Sequence, residues 1–184
     1  MQKLVNVLVT GTPCVGKTTF SKLLEDKLTE QMGPGFKHII VSQLVLEKHL
    51  YKDWNKEFDV PEFDEDMICD ELEDTMQKGG VILEFHSSSF FPERWFQLAI
   101  LLRTNNTQLY DRLKARGYAD KKITENIECE IMEVTAEDVH ASYKPEITME
   151  LQSNSPEDME ANVDAVTKRI KELMGIVSPV PPKP

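Results

Sequence analysis

The sequence predicts an α/β fold in which five parallel strands, covered by helices on both faces, form one domain. Three observations predict it. Short apolar runs of strand length alternate with helical spacings along the chain, and strands that read as continuous apolar runs belong in a sheet buried on both faces. The first such run, residues 4–10, passes directly into Gly11-Thr12-Pro13-Cys14-Val15-Gly16-Lys17-Thr18 and then into a helical pattern. That octet matches G-x-x-x-x-G-K-[ST] in the strand–loop–helix context the motif requires. Finally, 184 residues with 40% hydrophobic and 29% charged side chains are enough for one full core and too few for two comfortable ones.

The elements follow in order. After the first strand, a helix carries Phe20, Leu23, Leu24 and Leu28 and ends at the break Gln31-Met32-Gly33-Pro34-Gly35. Residues 38–41 read as a buried strand. Ser42 is placed to cap a short helix whose apolar side is Leu44, Val45 and Leu50. Residues 51–63 read as irregular, with a break at Pro61. A helix over 65–78, on Ile68, Leu72 and Met76, stops at Gly79-Gly80, and 81–85 is the third strand. Phe90 to Phe96 forms a compact aromatic turn before the fourth strand, 98–102. A helix over 105–116 packs through Leu109 and Leu113, and Gly117 to Lys122 breaks the pattern. One helix is expected from 124 to 142, on Ile127, Ile131 and Val134. Residues 147–151 supply the fifth strand. Ser155-Pro156-Glu157-Asp158 opens the last helix with a cap, a proline and first-turn acids, and Val163, Val166 and Ile170 lie on its apolar face. The domain is expected over 1–178, with Pro179–Pro184 as a disordered proline-rich tail.

A formal charge of −11 argues against a broad electrostatic surface for nucleic acid, whereas a nucleotide needs only a few local cations. Between positions 57 and 74 stand ten acidic residues and no basic one. They form either a solvated helix face with its flanking loop or a docking surface for a basic protein. The longest apolar runs, such as 81–83 and 98–102, are too short to cross a bilayer, so no membrane association is expected. The first strand starts almost at once, without a basic-apolar leader, so secretion is not expected. Three scattered cysteines without metal spacing fit a reducing compartment.

The loop is the chemical centre. Consecutive backbone N–H groups can curl round an anionic phosphate, and the helix N-terminus adds its positive dipole end. Lys17 would reach the outer phosphates and the Thr18 hydroxyl would ligate Mg²⁺. In such sheets ligands bind beyond the carboxyl ends of the strands, where Thr10, Glu84, Arg103 and Gln152 fall. Phosphoryl transfer needs in-line positioning and cations round the developing phosphate charge. Glu84 can hold Mg²⁺ directly or through water; on position alone it reads equally as a carboxylate paired with a neighbouring cation. Arg112 and Arg116 are four apart on one helical face beside the Gly117 break, where cations can close over a triphosphate. The alternative is an ordinary helix end with a favourable dipole interaction. His86 lies close to the expected γ-phosphate as an organiser of water or Mg²⁺, or is simply structural. Arg103 is a weaker candidate that can equally be structural.

Several segments together resemble the adenylate kinase isoenzyme 6 family: the loop from Gly11 to Thr19, Glu84-Phe85-His86, Phe90-Phe91-Pro92-Glu93-Arg94-Trp95-Phe96, Leu102-Arg103-Thr104 and Arg112-Leu113-Lys114-Ala115-Arg116-Gly117-Tyr118. The resemblance covers residues 4 to about 172. It implies a P-loop nucleoside monophosphate kinase fold, with an NMP-binding segment near 40–63 and a short lid near 115–125. It implies ATP on Gly11, Pro13, Cys14, Val15, Gly16, Lys17, Thr18, Thr19 and Arg116, with the loop at Asn154 flanking the adenine. Lys17, Arg112, Arg116 and His86 would serve the chemistry, with Mg²⁺ on Thr18 and Glu84. The implied activity is Mg²⁺-dependent transfer from ATP to AMP or another NMP, with ATP hydrolysis second. The resemblance also implies a role in small-subunit rRNA maturation through a basic ribosomal protein, a nuclear and cytoplasmic location, and a monomer.

This sequence departs from the family pattern at five positions. Cys14 replaces a glycine, which implies strain if the loop needs a positive φ there. Glu84 replaces an aspartate and Ser87 a glycine. In the NMP segment Leu46 takes the place of an arginine, and Met67 that of a second basic residue. A phosphate that loses such an arginine loses a charge-assisted contact worth about 2 kcal/mol. The ATP side is therefore expected to be intact and the AMP side weakened.

Overall fold

The computed structural model describes residues 3–57 and 59–176. The tail expected at 179–184 lies outside them. Five strands, β1 (Val7–Thr10), β2 (Lys37–Ile40), β5 (Val81–Glu84), β6 (Leu98–Arg103) and β7 (Thr148–Gln152), form one parallel sheet in the order β2-β5-β1-β6-β7. The helices are α1 (Lys17–Met32), α2 (Val41–Glu47), α3 (Glu65–Lys78), α4 (Asn106–Ala115), α5 (Asp120–Ile131), α6 (Val134–Ser142) and α7 (Pro156–Leu173).

Alternation along the strands divides the core. Val7, Val9, Ile100 and Leu102 pack with Phe20, Leu24, Leu109, Leu113 and Val166 from α1, α4 and α7. Leu8, Leu83, Ala99 and Leu101 pack with Val45, Ile68, Leu72, Met76 and Val139 from α2, α3 and α6. All four residues of β1 are buried, as a central parallel strand requires. It is the central strand of that order, and in such sheets ligands bind in the crevice beyond the carboxyl ends where the order reverses.

Among the described residues, three of the seven α-helices start with a side chain that satisfies a free N–H group. Asp64, Asn105 and Ser155 accept from the backbone N–H of Met67, Gln108 and Asp158 at 3.1, 2.9 and 3.1 Å. Ser42 does not cap. The chain passes from β2 straight into α2, whose cap position is Ile40 with no side-chain hydrogen bond, so Ser42 lies inside the helix.

Two further expectations are corrected. Residues 51–63 are not irregular: β3 (Tyr51–Asn55) and β4 (Val60–Phe63) pair as an antiparallel ribbon, with a register shift between Tyr51 and Asp53. β3 is largely open to solvent and shows no alternation, and β4 alternates over only four residues with Pro61 among them, too short a run to mark a strand. The helix expected over 124–142 is two helices. Glu133, at φ +56°, ends α5 and starts α6, a left-handed backbone that apolar spacing does not reveal.

The acidic stretch is also more internally engaged than its composition suggests. Asp64 caps α3 and pairs with Lys52 at 2.7 Å, Glu71 meets Lys48 at 3.4 Å, and Glu57 pairs with Lys121 of α5. Glu73 grips Arg94 with both oxygens at 2.9 Å and accepts from the Trp95 indole. Arg94 chiefly, with Gln77 and Trp95, holds the Glu73 carboxyl down at about 2.

Candidate functional site

The loop between β1 and α1 sits where two cavities meet. The larger, about 900 Å³, runs between α1, α4 and α7 and is lined by Leu23, Arg112, Ser155, Pro156, Met159 and Val163 among others. The smaller, about 540 Å³, is walled by Lys17, Thr18, Glu84 and His86 on one side and by α2 and the β3–β4 ribbon on the other. Cys14, Gly16, Thr19 and Arg116 line both. The loop can therefore present one ligand group to two chambers, which is the geometry of a donor and an acceptor.

Its backbone explains its glycines. Gly11 has φ +148°, and a Cβ there would meet the Leu102 carbonyl oxygen at 2.6 Å and a Val15 methyl at 2.8 Å. Gly16 has φ +100° and faces the Met159 methyl at 3.0 Å and the Ser153 hydroxyl at 3.3 Å. Cys14 shares the left-handed backbone, at φ +71°, without being glycine. The strain expected there is present. Its side chain is 8% exposed and packs in the core. A Cβ in this region costs about 1–2 kcal/mol. Cys14→Gly is thus expected to unfold about 1 kcal/mol later than Cys14→Ala, the reverse of the order at an ordinary position. Chemical denaturation of the two variants checks it.

Lys17 folds back over the loop and donates to the carbonyls of Gly11 at 2.7 Å and Thr12 at 2.9 Å. Burial is the main reason that its ammonium is pushed down to about 8; Arg116 adds to this, and Glu84, Cys14 and Glu130 oppose it. The charged form is the costly one in the ligand-free fold. That cost is fully present below pH 8 and is relieved as the pH rises from 8 towards 10.5. A triphosphate needs the same charge and pulls the other way. ATP affinity is therefore expected to be flat below about pH 7 and to weaken above pH 8, with proton uptake on binding in that upper range. Calorimetric titration between pH 6.5 and 9.5 in buffers of different ionisation enthalpy checks both.

Thr18 donates its hydroxyl to Glu84 Oε1 at 2.5 Å, while Glu84 Oε2 lies 2.7 Å from His38 Nε2. Glu84 is buried there and the His38 side chain is 9% exposed. Glu84 is thus both a strand-end acid facing the loop and a carboxylate with a neighbour, and that neighbour is a histidine. Hydroxyl and carboxylate are hard oxygen donors, a set that suits a small divalent cation taking the rest of its shell from phosphate and water. No group of three or more His, Cys, Asp and Glu gathers as a fuller metal cage among the described residues.

His86 lines the smaller cavity and packs on the Phe85 ring, 4.4 Å between centroids. Although its surface is exposed, the cleft walls and then Lys17 and Lys122 push it down to about 4. The neutral form is thereby favoured at physiological pH. A neutral imidazole offers one donor and one acceptor, which suits it to orienting water.

The structure sorts the arginines. Arg112 donates to the Thr104 hydroxyl at 3.2 Å and reaches the Cys14 carbonyl at 3.5 Å, so it braces the loop from α4. Arg116 ends α4, exposed, at the junction of the cavities. Arg103 turns away into Glu130, Glu150 and Glu133, which settles it as structural. Asn154 does not line the larger cavity: its side chain accepts from the Asn105 backbone N–H at 2.7 Å, and Ser155 and Pro156 form the wall instead. Leu46 does line the smaller cavity. Met67 does not; it is exposed on the first turn of α3. The loss of basic character that bears on the cleft is therefore at Leu46 alone. Sequence reasoning missed His38 and Glu130, whose partners are 46 and 118 residues away and leave no local signal.

Comparison with known proteins shows the family and the fold. A family model described as an AAA domain matches residues 7–133. The chain is similar to the adenylate kinase isoenzyme 6 homologue of Dictyostelium discoideum, 43% identical over 90% of this chain and 91% of the relative. It is also similar to that of Caenorhabditis elegans, 40% identical over 92% of this chain and 89% of the relative. A solved shikimate kinase from Bacteroides thetaiotaomicron superposes with a TM-score of 0.59 at 17% identity, covering 93% of this chain and 98% of its own, which shows a shared fold. On identity of that order along nine-tenths of its length, the chain belongs to the adenylate kinase isoenzyme 6 family.

Proposed function

We propose that this protein is an ATP-dependent phosphotransferase that moves the γ-phosphoryl group of ATP to AMP and also hydrolyses ATP. The observation that carries this reading is the phosphate loop at the meeting point of two cavities, with Lys17, Thr18 and Glu84 facing the smaller one. ATP would lay its adenosine in the larger cavity against Pro156 and Met159, and its phosphates along Cys14 to Thr19. The bond from the γ-phosphorus to the β,γ-bridging oxygen breaks as one to an AMP phosphate oxygen forms, giving two ADP. Lys17 and Arg116 balance the transferring charge, Arg112 holds the loop, and neutral His86 orients a water at the acceptor face. Mg²⁺, held by Thr18 and Glu84, would neutralise phosphate charge and fix the triphosphate's geometry.

A second reading is favoured by one observation. The wall formed by the end of β2, α2 and the ribbon presents Ile40, Ser42, Gln43, Val45, Leu46, Val60, Pro61 and Phe63 to the cleft and no cation. An acceptor phosphate gains little there, so ATP hydrolysis as a conformational switch would dominate over transfer. One assay separates the two: ADP and phosphate formation from Mg-ATP with and without AMP. ADP that depends on AMP supports transfer, phosphate released without AMP supports the switch, and no ATP binding sinks both. Family membership further suggests work in small-subunit rRNA maturation as a monomer in nucleus and cytoplasm, with the unpaired acids of 57–74 meeting a basic ribosomal protein.

A further inference from the structure

Glu130 breaks the pattern of its helix. On α5 it continues the inward line of Ile123 and Ile127, yet it is a carboxylate only 4% exposed. A buried charge is tolerated only when it is paired and hydrogen-bonded. Arg103 supplies the pairing: Nε donates to Oε1 at 2.6 Å, and Nη2 donates to the Glu130 carbonyl at 3.1 Å. That pair would satisfy the charge by itself. The other carboxylate oxygen reaches further, to the Thr12 hydroxyl, which donates to Oε2 at 2.5 Å.

Thr12 is the second residue of the phosphate loop and is itself buried. Its carbonyl accepts the Lys17 ammonium at 2.9 Å and the Val15 N–H at 3.4 Å. The Thr12 peptide is thus held on one side by Glu130 and carries Lys17 on the other. Upstream on α5, Lys122 lines the smaller cavity and Lys121 pairs with Glu57 at the ribbon tip. A helix of 12 residues, about 18 Å long, therefore runs from the acceptor side of the cleft to the underside of the loop.

We infer that Glu130 is a positioning residue of the donor site: through Thr12 it fixes the phosphate loop to α5, so that the place of this helix, which begins within the expected lid segment, sets the loop's grip on phosphate. This rests on the reading of the loop as an ATP site. Glu130 lines neither of the two cavities and acts through the loop.

Removing Glu130 would leave Arg103 buried and half-paired and could unfold the chain, so the decisive variant is Thr12→Val. It keeps size and β-branching, leaves the Arg103–Glu130 pair intact and deletes the link, at the cost of a Glu130 Oε2 without its Thr12 donor. In the full-length chain, ATP binding by calorimetry is expected to weaken about tenfold in Thr12→Val, the scale of one lost charge-assisted hydrogen bond. Thr12→Ser, which keeps the hydroxyl, is expected to recover to within about threefold of wild type. Amide exchange gives a readout that mere packing would not move: ATP should slow exchange in α5 of the wild type and of Thr12→Ser, and not in Thr12→Val. The inference is overturned if Thr12→Val binds ATP as wild type does, if Thr12→Ser falls as far as Thr12→Val, or if α5 protection is the same in all three. Failure of the wild type to bind ATP at all would instead overturn the ATP reading of the loop.

Discussion

Lys17→Ala is expected to abolish turnover, lowering kcat/KM for Mg-ATP by about a thousandfold or more, while leaving the fold as stable as before. One preorganised donor to a developing oxyanion in a water-poor site is worth about 10²–10³ in rate, and a full positive charge supplies at least that. The ammonium is already gathered at the loop by the Gly11 and Thr12 carbonyls, so it need only swing from them to the outer phosphates. Stability should behave oppositely. Burial depresses this lysine to about 8, so carrying its charge at neutral pH costs the ligand-free fold free energy that alanine removes. A melting temperature equal to or above wild type with ADP formation at background is the expected pair of results. Full activity would refute the assignment of the loop, and a large loss of stability would refute the account of the lysine's environment.

What could be read from the sequence was what short stretches specify by themselves. The parallel sheet was legible because each central strand is a local apolar run, and the loop because its eight residues are contiguous. The caps at Asp64, Asn105 and Ser155 stand beside the groups they satisfy. Cys14 was legible too, since a glycine position filled by another residue signals a positive φ, and +71° is found there. What was not legible depends on distant partners or on a single backbone angle. Glu130 looks like any helix glutamate until Thr12 and Arg103 are brought beneath it. His38 looks like a strand residue until it meets Glu84. One left-handed residue, Glu133, cuts in two a helix that apolar spacing reads as continuous. Met67 and Leu46 were equivalent as missing cations in sequence, and only the fold separates them, because α2 lines the cleft and the first turn of α3 does not.

That separation gives the second large effect. Leu46→Arg is expected to lower the KM for AMP by about 10- to 100-fold, whereas Met67→Arg should leave it within about twofold. A hydrogen bond to a charged group contributes about 1.5–3 kcal/mol, and each 1.4 kcal/mol is tenfold in affinity. Leu46 sits on the last turn of α2, 47% exposed, on the wall of the smaller cavity that carries no cation. The cations that do line this cavity, Lys17, Arg116 and Lys122, belong to the loop, the end of α4 and α5. Lys17 and Arg116 can be occupied by the donor's phosphates, leaving the acceptor phosphate only Lys122 of α5. An arginine at 46 lies near a helix C-terminus, where its charge is favoured, and an exposed site tolerates it within about 0.5 kcal/mol. Its planar fork suits a phosphate better than lysine's point charge, so Leu46→Lys should recover less. AMP titration of the three variants at saturating Mg-ATP decides the matter. A gain at position 46 alone means that transfer to AMP is limited by one missing cation. Equal gains at 46 and 67 would mean that net charge steers AMP rather than contact. No gain at either would place the limit elsewhere in the acceptor chamber, and the hydrolytic reading would then stand ahead of transfer.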